Sequence, residues 1–195
     1  LGDVYKRQVL DGEEKTGITT MYMEKGLDTG DMIDKAEVVL DKKETAGSLH
    51  DKLMVLGADL LLETLKKLED GTAVREKQND EESCYAKMLS KDMGQIDFTK
   101  SAREIECLIR GMNPWPSAYT SLDGKTMKVW EADVLDAQSK EEPGTIVEVN
   151  KKEIIVATGS NDVALHEIQL AGKKRMQVQA FLLGYQVEAG MKLGE

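Results

Sequence analysis

The run "TGITTMYMEKGLDTGDMIDKAEVVL", Thr16 to Leu40, holds the pattern on which the fold reading turns: two β-prone stretches around a Gly-studded acidic loop. "TGITTMYM" is rich in Thr and Ile, and "DMIDKAEVVL" closes on Val and Leu, so each predicts a short strand. Asp28 and Asp31 fall between them, where the first strand gives out. Short polar side chains beside glycine suit a turn. A carboxylate held at a strand's end also suits the edge of an active site, and the spacing leaves both readings open. Downstream, "ETAGSLHDKLMVLGADLLLETLKKLEDG" (44–71) repeats Leu49, Leu53, Leu56, Leu60 and Leu68 at helical spacing and predicts a long helix with an apolar core face. Ser48 with Asp51 resembles a capping box, and Gly71 suits the residue after the last turn. Two strands and a helix are a piece of an α/β unit, with apolar surface left over unless more sheet covers it.

The first eight residues, "LGDVYKRQ", do not read as the start of a domain and are expected to be a foreign leader outside the fold. Residues 9–75 then form the α/β unit. "VREKQNDEESCYAKMLSKDMGQIDF" (74–98) is polar and aperiodic, so residues 76–99 are expected to be a linker running over a surface. "SAREIECLIRGM" predicts a helix with Ile105, Leu108, Ile109 and Met112 on one side. Beyond "NPWP" (113–116) come "SAYTSL", "KTMKVWEADVL", "GTIVEVN", "EIIVAT" and "VALHEIQL", short strands punctuated by turns, which suggest a small barrel or sandwich over residues 100–195. A last helix, "MQVQAFLLGY", follows the basic cluster Lys173, Lys174 and Arg175.

The chain has 195 residues and a formal net charge of −10. Residues 1–82 hold 12 Lys/Arg against 20 Asp/Glu, and residues 83–195 hold 14 against 16, so neither half has the basic surface that coats DNA. No run of about twenty apolar residues predicts a membrane span, and Cys84 and Cys107 lack any metal-ligand spacing and read as free thiols. No metal, no membrane and a cytoplasmic setting are the expectations.

Four stretches occur together and in order: "TGITTMYMEKGLDTGDM", "AGSLHDKLMVLGADLLLETL", "IRGMNPWPSAY" and "LAGKKRMQVQAFLLGY". Together they resemble the bacterial methionyl-tRNA formyltransferase family, from about Val9 to the end of the chain. The resemblance implies part of a Rossmann-like formyltransferase domain followed by a mainly-β, OB-like barrel domain. It implies transfer of a formyl group from 10-formyltetrahydrofolate to the α-amine of methionyl initiator tRNA, with the folate donor and that tRNA as partners. The family's catalytic set is an Asn, a His and an Asp. Only the Asp matches here, at Asp28; His50 and His166 fall elsewhere, so the isolated chain is expected to be inactive. Two alternatives stay open: a formyltransferase acting on another amine, such as an amino sugar, and a bare tRNA-binding module.

On that resemblance Asp28 is the acid–base partner and Asp31 a loop tie, while Met23, Glu24, Lys25, Gly26 and Leu27 lie close to the folate. For Met23 and Leu27, ordinary core packing is an equal reading. Lys173, Lys174 and Arg175, joined by Lys125, Lys128, Lys151 and Lys152, are the candidate RNA-phosphate patch, since an acidic protein that holds a polyanion needs concentrated positive charge. "NPWP" reads as a rigid extended connector with Trp115 packed between domains. Cys107 reads as helix packing with no basic neighbour to favour a thiolate.

Overall fold

Thr45, with extended backbone (φ −98°, ψ 162°), starts the longest helix: its hydroxyl accepts from the Ser48 N–H at 3.1 Å, and the Ser48 hydroxyl accepts from the Thr45 N–H at 3.0 Å. This is a reciprocal capping box, three residues earlier than the pairing of Ser48 with Asp51. In the computed structural model, which describes residues 2–195, this helix is α2 (Ala46–Glu69). Gly71, at φ +70°, ends it as expected. Before it come helix α1 (Gly2–Leu10) and the antiparallel pair β1 (Lys15–Met21) and β2 (Met32–Val39). Residues 2–8, set aside from the fold on sequence, form the first turns of α1, and Val9 within that helix is fully buried against Leu49 and Leu53.

The hairpin covers only part of α2. Leu49, Leu53 and Leu60 are buried, but Leu61, Leu62, Leu65 and Leu68 are exposed, with Met54 and Val55 beside them. The expectation that the leucine face is all core therefore holds only for the side that meets α1 and the hairpin. Two strands are too narrow to cover a 24-residue helix.

The second lobe begins earlier than expected. Leu89, Ile96 and Phe98, inside the stretch read as a surface linker, are buried in its core. Isolated apolar residues in a polar run show no periodicity, so sequence offers little sign that they are anchors. Helix α3 (Ala102–Gly111) is capped by Ser101 with Glu104 and buries Ile105, Ile109 and Met112. Strands β3 (Ala118–Leu122), β4 (Lys125–Val134), β5 (Ile146–Val149), β6 (Ile154–Ala157) and β7 (Asp162–Leu170) follow, in the sheet order β3-β4-β7-β6-β5. The short β8 (Met176–Gln177) pairs with β7, and helix α4 (Val178–Leu182) is briefer than the helix read from Met176 onward.

The mainly-β character is as expected, but the OB-like closed barrel is not: among the described strands β3 and β5 are the unjoined ends of the sheet. The C-terminal tail occupies the interval. Ile146 donates to the Met191 carbonyl and Leu193 to the Gly144 carbonyl, both at 2.8 Å, on the β5 side. Gly194 donates to the Ser121 carbonyl at 3.0 Å on the β3 side. Leu193 is buried, so the tail also plugs the core end.

The lobes meet through a buried charge. The Arg110 guanidinium is paired with Glu106 one turn earlier and donates from Nη1 to the Glu44 carbonyl at 2.9 Å. Gly47 at the start of α2 donates to the Asn113 carbonyl at 3.0 Å; a Cβ there would sit 2.9 Å from Pro114 Cδ, so a side chain would push the lobes apart. Lys43 donates to the Ala132 carbonyl at 3.1 Å and pairs with Asp133. Burial pushes the Glu44 carboxyl up, but hydrogen bonds from Lys52 and Ser48 outweigh it and hold it below its ordinary value.

Breaking a buried pair from one side strands the other charge. Arg110→Met should therefore cost about 3–5 kcal/mol in urea unfolding of the 195-residue chain, and adding Glu106→Leu should restore most of it. If Arg110→Met alone stayed within about 0.5 kcal/mol of the parent, as an ordinary surface substitution does, the pair would not be what orders this junction.

Candidate functional site

The β1–β2 connection is tied at its base by Tyr22, whose N–H donates to the Asp31 carbonyl at 2.9 Å. Gly30 is buried there, and a Cβ on it would lie 1.7 Å from the Tyr22 carbonyl oxygen, so only glycine fits. Asp28 takes the left-handed backbone (φ +53°), which Asp tolerates better than most residues. Its carboxylate is exposed, and among the described residues no side chain pairs with it. Asp31 accepts from Arg75 Nε at 2.9 Å, and the same guanidinium lies 4.1 Å from the centre of the Tyr22 ring. The side-chain amide of Gln78 donates to the carbonyls of Asp28 and Gly30, each at 2.7 Å.

Asp31 thus ties the loop, as expected. Met23 is 87% exposed and Leu27 75%, so neither is packed in the core of the described residues; Glu24, Lys25 and Gly26 are exposed with them. A wet carboxylate beside two uncovered apolar side chains can meet a ligand that is part polar and part flat and apolar.

The basic residues divide. Arg175 stacks on Trp130 with its guanidinium 4.6 Å from the ring centre, and Lys128 Nζ lies 5.6 Å from the same ring. Lys128 faces Gln169 across the β4–β7 pair, and Gln169 donates to the Lys173 carbonyl at 3.1 Å, which brings that turn to the same end of the sheet. Lys125, Lys173 and Lys174 are exposed. Arg175 is partly neutralised by its pairing with Glu167. Lys151 and Lys152 sit in the β5–β6 turn, organised by Asn150, two strands away from β4.

"NPWP" is a turn and not an extended connector, closed by the Ser117 N–H donating to the Met112 carbonyl at 2.8 Å. Its contact with the first lobe runs through Asn113 and Pro114 and through the half-exposed Trp115, whose ring centre lies 5.1 Å from Lys6 Nζ on α1. Cys107 is buried in α3, as read, but it has basic neighbours: Arg110 Nη2 donates to its sulfur at 3.4 Å. Burial still pushes the thiol up, against the pull of Arg110 and Arg103.

A cleft of about 630 Å³ opens where the lobes meet, lined by Lys43, Arg103, Glu106, Arg110 and Asp133 among others. The Asp28 loop is not part of its lining. Among the described residues no cluster of His, Cys, Asp or Glu has the makings of a metal site, and no helix is long and apolar enough to cross a membrane.

Arg75 and Gln78 are the residues that sequence reading missed. Both lie in the polar stretch after α2, which pairs with β2 only through the Met32–Glu76 bridge. One bridge leaves no alternation to detect.

The formyl transferase family model matches residues 2–65, and the formyl transferase C-terminal domain model matches residues 88–186. The methionyl-tRNA formyltransferase of Clostridioides difficile (strain 630) is 54% identical over 186 residues, covering 95% of this chain and 60% of that protein. That of Agathobacter rectalis is 54% identical over 182 residues, covering 93% and 59%. The chain therefore spans about 60% of the length of these relatives. Among solved structures, HypX from Aquifex aeolicus in complex with tetrahydrofolic acid superposes with a TM-score of 0.66 at 14% identity, over 97% of this chain and 36% of that one. WlaRD, a sugar 3N-formyl transferase, gives 0.63 at 19% identity, over 86% and 59%. At these identities the likeness is one of fold.

Proposed function

Because the chain belongs to the formyltransferase family, we propose that it supplies Asp28 and the second lobe to a methionyl-tRNA formyltransferase acting in the cytoplasm. The formyl group of 10-formyltetrahydrofolate passes to the α-amine of methionine on initiator tRNA. The observation that carries this reading is the 54% identity to a protein of that name across 95% of the chain, through both lobes. In the reaction the amine nitrogen bonds to the formyl carbon, the bond from that carbon to the donor nitrogen breaks, and a proton leaves the amine as one is delivered to the donor nitrogen.

Asp28 is the proton-handling carboxylate of this scheme, working with an Asn and a His contributed from outside the present residues. Its exposure at the loop's outer edge leaves room for those partners. The donor's flat ring system lies against the segment Met23, Glu24, Lys25, Gly26 and Leu27, whose two apolar side chains are uncovered. The RNA backbone meets Lys173, Lys174 and Arg175 with Lys125 and Lys128. Lys151 and Lys152 reach it only if the RNA crosses the sheet.

The tests use a protein of the relatives' full length, made by joining the N-terminal segment of the Clostridioides difficile relative to this chain. Asp28→Asn should slow formylation of charged initiator tRNA by about 10²–10⁴-fold, the range for loss of a general acid–base group. Its melting temperature should match the parent's, since the carboxylate is exposed. Near-parental turnover would remove Asp28 from the mechanism, and faster formylation of a UDP-amino sugar than of tRNA would replace the substrate. Changing Lys173, Lys174 and Arg175 to Glu should weaken tRNA binding and flatten its dependence on log salt by about two to three units of slope. An unchanged slope would show that these residues do not meet phosphate.

A further inference from the structure

We propose that Gln78 is a positioning residue for Asp28, a role that rests on the acid–base reading of Asp28 given above. Carbonyl oxygens only accept hydrogen bonds, so the side-chain group facing both Asp28 and Gly30 must be the Gln78 NH₂, the one group there with two protons to give. The two bonds, at 2.7 Å each, fix the directions of two carbonyls separated by one residue. The carbonyl of Asp28 reports its ψ. With φ held at +53°, fixing ψ fixes the direction in which the Cα–Cβ bond carries the carboxylate.

The donor is itself anchored. Met32 and Glu76 exchange both backbone hydrogen bonds, at 2.8 and 2.9 Å, which fastens the strap of residues 75–78 to β2. Glu76 also pairs with Lys35 at 2.9 Å, and Arg75 grips Asp31 and Tyr22 from the same strap. The far side of the loop has no such hold: among the described residues no hydrogen bond anchors Met23 to Leu27. The strap therefore acts on the end of the loop that carries Asp28, and leaves the end facing the donor free to adapt.

A purely structural Gln78 would only satisfy the carbonyl of buried Gly30, and its loss would lower stability without singling out catalysis. The experiment separates the two in the full-length joined protein. Gln78→Met keeps the length and removes the donor. It should lower kcat by about 10- to 100-fold, as loss of a supporting hydrogen bond does, with KM for charged tRNA unchanged; a lower melting temperature follows from the unpaired Gly30 carbonyl on either role, so the split between kcat and KM and the coupling to Asp28 decide. In the Asp28→Asn background, under single-turnover conditions, the same change should add no further loss, because coupled residues are not additive. Gln78→Glu should be slow when ionised, with its carboxylate against two carbonyls, and should regain rate relative to the parent as pH falls and the acid can donate. In the 195-residue chain itself, Gln78→Met should shift the carbonyl-carbon NMR resonances of Asp28 and Gly30, the two acceptors it frees, while leaving those of α2 unchanged.

A normal kcat for Gln78→Met, an equal loss with and without Asp28, or unmoved carbonyl resonances at Asp28 and Gly30 would each overturn the proposal. If Asp28→Asn is slow and Gln78→Met is normal, positioning fails and the acid–base reading stands. If Asp28→Asn is itself normal, the acid–base reading fails and takes the positioning role with it.

Discussion

The two lobes are held in one arrangement by a guanidinium whose own helix, through Glu106 and the Cys107 sulfur, leaves a hydrogen to be accepted across the junction. Arg110 is almost fully buried, and Glu106 accepts from it within the same helix. A buried Arg carries more N–H donors than one carboxylate can satisfy. The remaining donors must find acceptors, because an unpaired buried donor is costly. One of them reaches the Glu44 carbonyl, which belongs to the turn leading into α2. Docking of the lobes is therefore part of satisfying a charge that the second lobe has buried. Glu44 is drawn in as well: its carboxylate lies at the same corner, held by Lys52 and Ser48.

The corner in turn positions the hairpin. α2 starts at Thr45, directly after Glu44, and runs over the hairpin with Ile18 beneath Gly57. Further along, Thr64 and Lys67 on α2 reach Asp34 on β2, and those contacts hold the Asp34 carboxyl below its ordinary value. Helix and hairpin are thus fixed at both ends, and the Asp28 loop is borne on a rigid base. That base meets the second lobe through polar groups at the Arg110 corner and through α1, whose Leu10 packs against the second-lobe core beside Gly111.

What could be read from sequence depended on whether a signal repeats. β1 and β2 announce themselves by composition, α2 by recurring leucines, and β3 to β7 by turns at short intervals. The Asp28 loop was legible because two aspartates and two glycines mark a break between strands, and the family resemblance gave one of them a role. Single contacts left no such trace. Leu89, Ile96 and Phe98 are lone anchors in a polar stretch. The tail that fills the interval between β5 and β3 works through backbone groups, which any sequence carries. Gln78 reaches across about fifty positions to Asp28, and nothing at either residue points to the other. The placement of the α2 cap at Thr45 turned on which of two hydroxyl residues, three positions apart, has extended backbone, which composition alone does not decide.

The exposure of Asp28 sets a condition on how it can work. Charges in open water attract one another weakly, and the same pair is several times stronger once water is excluded. In this chain the carboxylate stands in water, beside Met23 and Leu27, whose apolar surfaces are also wet. A ligand that lays a flat apolar ring over those two side chains removes water from them and from the carboxylate in one step. On the proposed acid–base role of Asp28, that burial would drive binding and the lowered dielectric would strengthen the interactions of the carboxylate as the reacting atoms arrive. A loop with its apolar residues already packed in the core would lose that coupling, because nothing would remain for the ligand to cover. On the proposed roles, the free end at Met23–Leu27 and the clamped end at Asp28–Asp31 would be two halves of one arrangement: one adapting to the ligand and the other keeping the carboxylate aimed.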